Sequence, residues 1–120
     1  MGRGPDPLAG VNLLDIRPIR TAEWSEADGR VVLERAAPAE LGLRGIRGRL
    51  DHWLATPRVR LDETGSFAWV RFDGRATVRD VVSAVRLRFG SEAEPVEERL
   101  GSFVRLLRRE RLVRYAGVDD

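Results

Sequence analysis

Arg58-Val59-Arg60-Leu61-Asp62-Glu63-Thr64-Gly65-Ser66-Phe67-Ala68-Trp69 changes its periodicity midway. The first four residues alternate basic and apolar, the period of a strand with one face turned to a core. Asp62 then offers a carboxylate that caps a helix, and Glu63 puts a negative charge in the first turn, where the helix dipole favours it. The helix begun there carries Phe67, Trp69, Val70 and Phe72 and is expected to stop at Asp73-Gly74. A strand that runs directly into a helix puts both kinds of element in the chain.

On the N-terminal side, Asp28-Gly29 is a hairpin turn signal, because a tight primed turn needs positive backbone angles that these residues tolerate. Arg30-Val31-Val32-Leu33-Glu34 reads as the returning strand. Ile16 to Trp24 reads as the outgoing one, with Pro18 confined to a strand end or edge. A hairpin alone is marginal in water, so a third strand or a covering helix must follow. Arg58 to Leu61 supplies that third strand. Between them, Gly42, Gly45 and Gly48 stand beside Ile46, Leu50, Trp53 and Leu54, which predicts a loop leading into a short helix. Met1 to Gly10, with Gly2, Gly4, Pro5, Pro7 and Gly10, reads as a loose tail.

On the C-terminal side, Thr77 and Asp80 start a second helix whose Val78, Val81, Val82, Val85 and Phe89 share one face, and Gly90 ends it. Pro95 suits the first position of a third helix. Glu97 and Glu98 sit at its positive end, and Arg108, Arg109 and Arg111 at its negative end. Val96, Leu100, Phe103, Val104 and Leu107 form its apolar stripe. The predicted order is strand, strand, strand, helix, helix, helix.

With 120 residues, 42% hydrophobic and 33% charged, the chain has the composition of one soluble globular domain. Its longest uncharged run, Pro7 to Leu14, is far shorter than the roughly 20 apolar residues a bilayer requires. The N-terminus has no charged-then-apolar export pattern, which predicts a cytoplasmic protein. The chain lacks cysteine, so it forms no disulfide and offers no thiolate. His52 is the single histidine and cannot build a zinc site by itself. No glycine-rich loop lies between a strand and a helix, and Asp62, Glu63, Glu97 and Glu98 are explained as helix-start residues. Catalysis, a metal and a cofactor are therefore not expected.

All 21 basic residues are arginine. Arg99 to Arg114 holds Arg99, Arg105, Arg108, Arg109, Arg111 and Arg114 against the single acid Glu110. Leu43 to Leu61 holds Arg44, Arg47, Arg49, Arg58 and Arg60 against Asp51. Two readings stand: a scattered solvated surface, or, if the fold joins the two stretches, a positive site for an acidic partner.

Val59 to Trp69, then Phe72-Asp73-Gly74-Arg75-Ala76-Thr77-Val78, Phe89-Gly90 and Val96 to Val113 resemble the PqqD family, over about residues 13 to 115. The resemblance implies a winged-helix-like α+β domain at 12–116, a three-stranded antiparallel sheet followed by three helices, after a tail at 1–11. The short inserted helix between the second and third strands, at about 37–56, departs from the family pattern. What the resemblance implies of function is a bacterial peptide chaperone, the recognition element of ribosomally made, post-translationally modified peptides. It holds the leader of a precursor peptide and presents it to a modifying enzyme, often a radical S-adenosylmethionine enzyme. The leader adds as an antiparallel strand beside the third strand, in a groove walled by the third helix. Carried onto this chain, Arg58, Val59, Arg60 and Leu61 supply backbone pairing and charge. Leu100, Phe103, Val104 and Leu107 supply apolar pockets, with Arg108 at the rim, and the same apolar residues serve equally as plain core. The insertion either covers the edge or forms a lid or docking surface, and Trp53 is either its buried anchor or part of that surface.

Two other classes compete: a winged-helix DNA-binding protein, and a non-catalytic subunit that only assembles an enzyme complex. Against DNA stand Glu94, Glu97 and Glu98 at the start of the third helix, where they repel phosphate. An uncovered edge strand also predicts a weak homodimer, opposed by Arg58 and Arg60.

Overall fold

A computed structural model describes residues 10–34 and 58–119. After a 3-10 turn at Leu13–Asp15 come β1 (Arg17–Arg20), β2 (Trp24–Ala27), β3 (Arg30–Glu34) and β4 (Arg58–Arg60). Then follow α1 (Glu63–Trp69), α2 (Val78–Phe89), a 3-10 turn at Gly90–Ala93, α3 (Val96–Arg109) and β5 (Val113–Ala116). The architecture is α+β, and β2, β3 and β4 form a three-stranded antiparallel sheet followed by three helices. The inserted helix expected within 37–56, with His52 and Trp53, lies outside the described residues.

Local chemistry explains most boundaries. Asp28 and Gly29 both have positive φ, 54° and 76°, as a primed hairpin turn requires, and they pair Trp24 with Leu33 and Ala27 with Arg30. Asp62 Oδ1 accepts from Gly65 N at 2.7 Å and caps α1. Thr77 and Asp80 exchange the reciprocal bonds of a capping box at the start of α2. α1 stops at Trp69, before the expected Asp73-Gly74, because Val70 to Phe72 turn on short-range bonds and Asp73 Oδ1 takes the amides of Arg75 and Ala76. Pro95 is the residue before α3 rather than its first, and Glu94 Oε1 accepts from Val96 N at 3.2 Å.

Two features depart from the sequence-based reading. The extended run from Ile16 to Trp24 is two strands in two sheets, because Thr21 bonds Leu112 O through its amide (3.0 Å) and Arg111 O through its hydroxyl (3.1 Å). That pins β1 against β5, a strand the periodicity of four residues did not reveal, with Arg17 opposite Ala116 and Arg20 opposite Val113. On its other side β1 meets Phe72 to Gly74: Arg20 N donates to Phe72 O and Gly74 N to Pro18 O. Gly74 has φ +81°, a conformation that favours glycine, and a Cβ there would press on the Ile19 side chain, 3.2 Å from Cδ1.

Trp69, Phe72, Leu33, Val78 and Val104 are wholly buried at the centre, between the inner face of the three-stranded sheet and the three helices. Val31 and Leu33 from β3, and Leu61 just after β4, point into this core, while Arg58, Arg60 and Glu34 lie on the opposite, solvent face.

Candidate functional site

The outer edge of β4 is defined by its register. Arg60, Val59 and Arg58 stand opposite Val32, Leu33 and Glu34 of β3. Leu61 N donates to Val31 O at 2.9 Å, and Glu34 N donates to Glu23 O at 2.9 Å. Val31 therefore faces β4 and Glu34 faces the other way. In an antiparallel pair the bonded and non-bonded positions alternate, so Leu33 and Val59 form the next bonded pair. Consequently Val59 spends its N–H and C=O on β3, whereas Arg58 and Arg60 aim theirs away from it. Among the described residues β4 pairs only with β3.

Ser66 holds this strand to α1. Its buried hydroxyl accepts from Val31 N at 2.8 Å and donates to Leu61 O at 3.4 Å, which satisfies the backbone groups where the β3–β4 ladder ends. One side chain thus ties the end of β4 to the first turn of α1.

Beside this edge opens a cleft of about 410 Å³. Leu61, Val85, Ala93, Val96, Leu100 and Phe103 give it an apolar floor, and Arg60, Asp62, Thr64 and Arg99 stand around it. Gly65 lies between the Asp62 cap and α3: a Cβ there would stand 3.0 Å from Asp62 Oδ1 and in ordinary contact, 3.6 Å, with Phe103 Cζ. The Phe103 ring, half-buried, packs at 6.2 Å from that of Phe72. The start of α3 is fixed by Glu94, whose carboxyl is held below the usual range by hydrogen bonding from Arg86 and then from Val96 N.

The charged groups on the edge have weak partners. Arg58 meets Glu34 at 3.1 Å and Arg60 meets Asp28 at 3.9 Å, both in largely exposed settings. Arg99 donates to Ala93 O at 3.4 Å.

The sequence-derived site residues separate into three groups. Arg60, Leu61, Leu100 and Phe103 converge on the cleft, with Arg58 and Val59 on the adjoining strand. Val104 and Leu107 turn into the core, 0% and 3% exposed, because the apolar stripe of α3 is wider than the cleft it borders. Arg108 lies on the other flank of α3: it binds Asp119 through two hydrogen bonds, 2.9 and 2.6 Å, and stacks over Tyr115 at 4.4 Å. Sequence reasoning named Arg99 only within the arginine-rich stretch and Val96 and Val85 only as helix-face residues, and gave Thr64 no role, although all four line the cleft. Arg99 was legible as the residue one helical turn before Phe103.

Of the two arginine-rich stretches, Arg60 from one and Arg99 from the other stand around the first cleft. Arg105, Arg108 and Arg109 border a second cleft, of about 720 Å³, with Val11, Leu13, Ile16 and Tyr115. Among the described residues no cluster of histidine, cysteine or carboxylates is arranged to hold a metal ion, and no helix is long and apolar enough to cross a membrane.

The family model described as Coenzyme PQQ synthesis protein D (PqqD) matches residues 54–113, half of the chain. The chain belongs to the PqqD family. That match contains β4, all three helices and every residue around the first cleft, while β1, β2 and β3 precede it. No curated protein and no solved structure matches the chain. PqqD proteins are peptide-binding, non-catalytic accessory proteins of coenzyme PQQ-type biosynthesis, which work with a partner enzyme.

Proposed function

We propose that this PqqD protein binds the leader segment of a ribosomally made precursor peptide by strand addition to the outer edge of β4 and presents it to a modifying enzyme. The observation that carries this reading is the outward aim of the Arg58 and Arg60 backbone groups directly beside an apolar cleft. An extended peptide satisfies those groups with its own backbone and places alternate side chains over the cleft. Leu61, Leu100 and Phe103 receive them, and Val59 keeps the strand in place. Covalent chemistry on the core of the precursor belongs to the partner, a radical S-adenosylmethionine enzyme being the type implied by the family, and the complex operates in the cytoplasm.

The test uses synthetic leader segments of candidate precursors and duplex DNA at physiological salt. Anisotropy of the labelled ligands reports affinity, and amide hydrogen exchange of the full chain reports location. Binding of a leader with new protection at the Arg58 and Arg60 amides supports the reading. Sub-micromolar binding of duplex DNA with no peptide binding overturns it, as does a bound leader that protects neither amide.

A further inference from the structure

Strand addition at β4 fixes not only where a peptide lies but which side chain meets which. We infer that the preferred ligand carries an alternation of apolar and acidic residues, read from its N-terminus as apolar, acidic, apolar, acidic, opposite Leu61, Arg60, Val59 and Arg58. The inference rests on the strand-addition reading above and adds the chemistry of the peptide it selects.

The argument follows from register. Arg58 and Arg60 are the outward-bonding positions, so the ligand residues opposite them form the bonded pairs of an antiparallel ladder. Side chains directly opposite each other share a face of the sheet. Residues opposite Leu61 and Val59 therefore project to the core side, where Leu61, Leu100 and Phe103 border the cleft. Those opposite Arg60 and Arg58 project to the solvent side, between two guanidinium groups. A carboxylate there gains a cross-strand ion pair, and a cation meets like charge. The present partners do not prevent it: the Arg58–Glu34 and Arg60–Asp28 pairs are exposed, and a guanidinium has five N–H donors, enough for a second carboxylate. Asp62, at the cleft mouth, is occupied in capping α1.

Fluorescein-labelled peptides with identical Ser/Thr flanks and the centres Leu-Glu-Leu-Glu, Leu-Lys-Leu-Lys and Leu-Leu-Glu-Glu test this against the full chain by anisotropy at low salt. The alternating acidic peptide is expected to bind about tenfold more tightly than either of the others. In the Arg58→Glu/Arg60→Glu chain the order of the acidic and lysine peptides inverts, and tight binding of the lysine peptide also shows that this variant is folded. If the variant does not fold, the wild-type preference for glutamate over lysine must shrink as salt rises. Equal affinity for the acidic and lysine peptides, a preference indifferent to salt, or no inversion in a folded variant overturns the inference. If both peptides bind equally and both are lost in Arg60→Pro, strand addition stands and the charge pattern falls. If none of the three binds, the alternation is refuted, while the exchange experiment with leader segments still decides the proposed function.

Discussion

Arg111 holds a backbone conformation that glycine adopts without strain. Its φ is +62°, and Leu112 N reaches back to Leu107 O (2.8 Å) while Arg111 N reaches Arg108 O (2.9 Å), the paired bonds of a Schellman end to α3. A left-handed non-glycine residue costs about 1–2 kcal/mol, against roughly 0.5 kcal/mol that glycine adds to the freedom of the unfolded chain. Arg111→Gly is therefore expected to stabilise the fold by about 0.5–1 kcal/mol in urea unfolding. A second test at this scale uses Asp119, whose carboxyl is held below its ordinary value of 3.8, first by hydrogen bonding from Arg108 and also by the Tyr115 amide. A depressed carboxyl contributes stability that is present above its unfolded value and lost as pH falls through its folded one, so the loss lies below 3.8. Comparing wild type with Asp119→Asn from about pH 6 to about pH 2, the difference in stability should be largest at the upper end and shrink below about pH 4. Single residues with local jobs were legible in the sequence: Asp28-Gly29, Asp62 and Thr77 act on neighbours within a few positions. Arg108 was not, because its partner Asp119 and its platform Tyr115 become neighbours only when β5 folds back.

Elements were legible where amphipathic periodicity ran long enough. The faces of α2 and α3 repeat over several turns, and both helices form where expected, although α3 ends at Arg109 because Arg111 takes a glycine-like angle that no sequence signal announced. β5 spans Val113–Ala116, too short for alternation to register, and β1 and β2 were merged because only the contact of Thr21 with Arg111 and Leu112 separates them. Within the site, the identity of the edge strand was legible and its bonding phase was not, since phase depends on β3. That phase yields a paired prediction. Val59→Pro removes an amide facing Leu33 and is expected to cost about 2 kcal/mol or more, so any loss of peptide binding would follow from damage to the sheet. Arg60→Pro removes an outward amide, which an edge strand tolerates, and should leave stability within about 1 kcal/mol while abolishing strand addition. Chemical unfolding and leader binding measured on both variants separate the effects. Equal destabilisation of the two would mean that the phase assigned to β4 is wrong.

For the molecule as a whole, the outer edge of β4 is a template for its own copy as well as for a peptide. Antiparallel pairing of two such edges about Val59 would set Arg58 of one molecule against Arg60 of the other, and like charges directly opposite destabilise the pair. We expect a weak dimer that grows with salt and disperses when peptide binds, as sedimentation velocity at low and high salt would record. A tight dimer indifferent to both would place the contact elsewhere. The closure of β1 on β5 has a kinetic meaning. Arg17 and Ala116 can meet only after a loop of almost the whole chain has been drawn shut. Because the loop-closure entropy must be met first, contacts of such long sequence separation are expected to form after the local hairpin and the helices. Their loss should therefore appear on the unfolding limb of a chevron plot. Val113→Ala, which thins a residue 2% exposed in that pairing, is expected to speed unfolding by about 30-fold for a loss of about 2 kcal/mol and to leave the folding rate nearly unchanged. The two-stranded sheet then acts as a latch on the lifetime of the folded state, setting how long the protein persists rather than how quickly it is made.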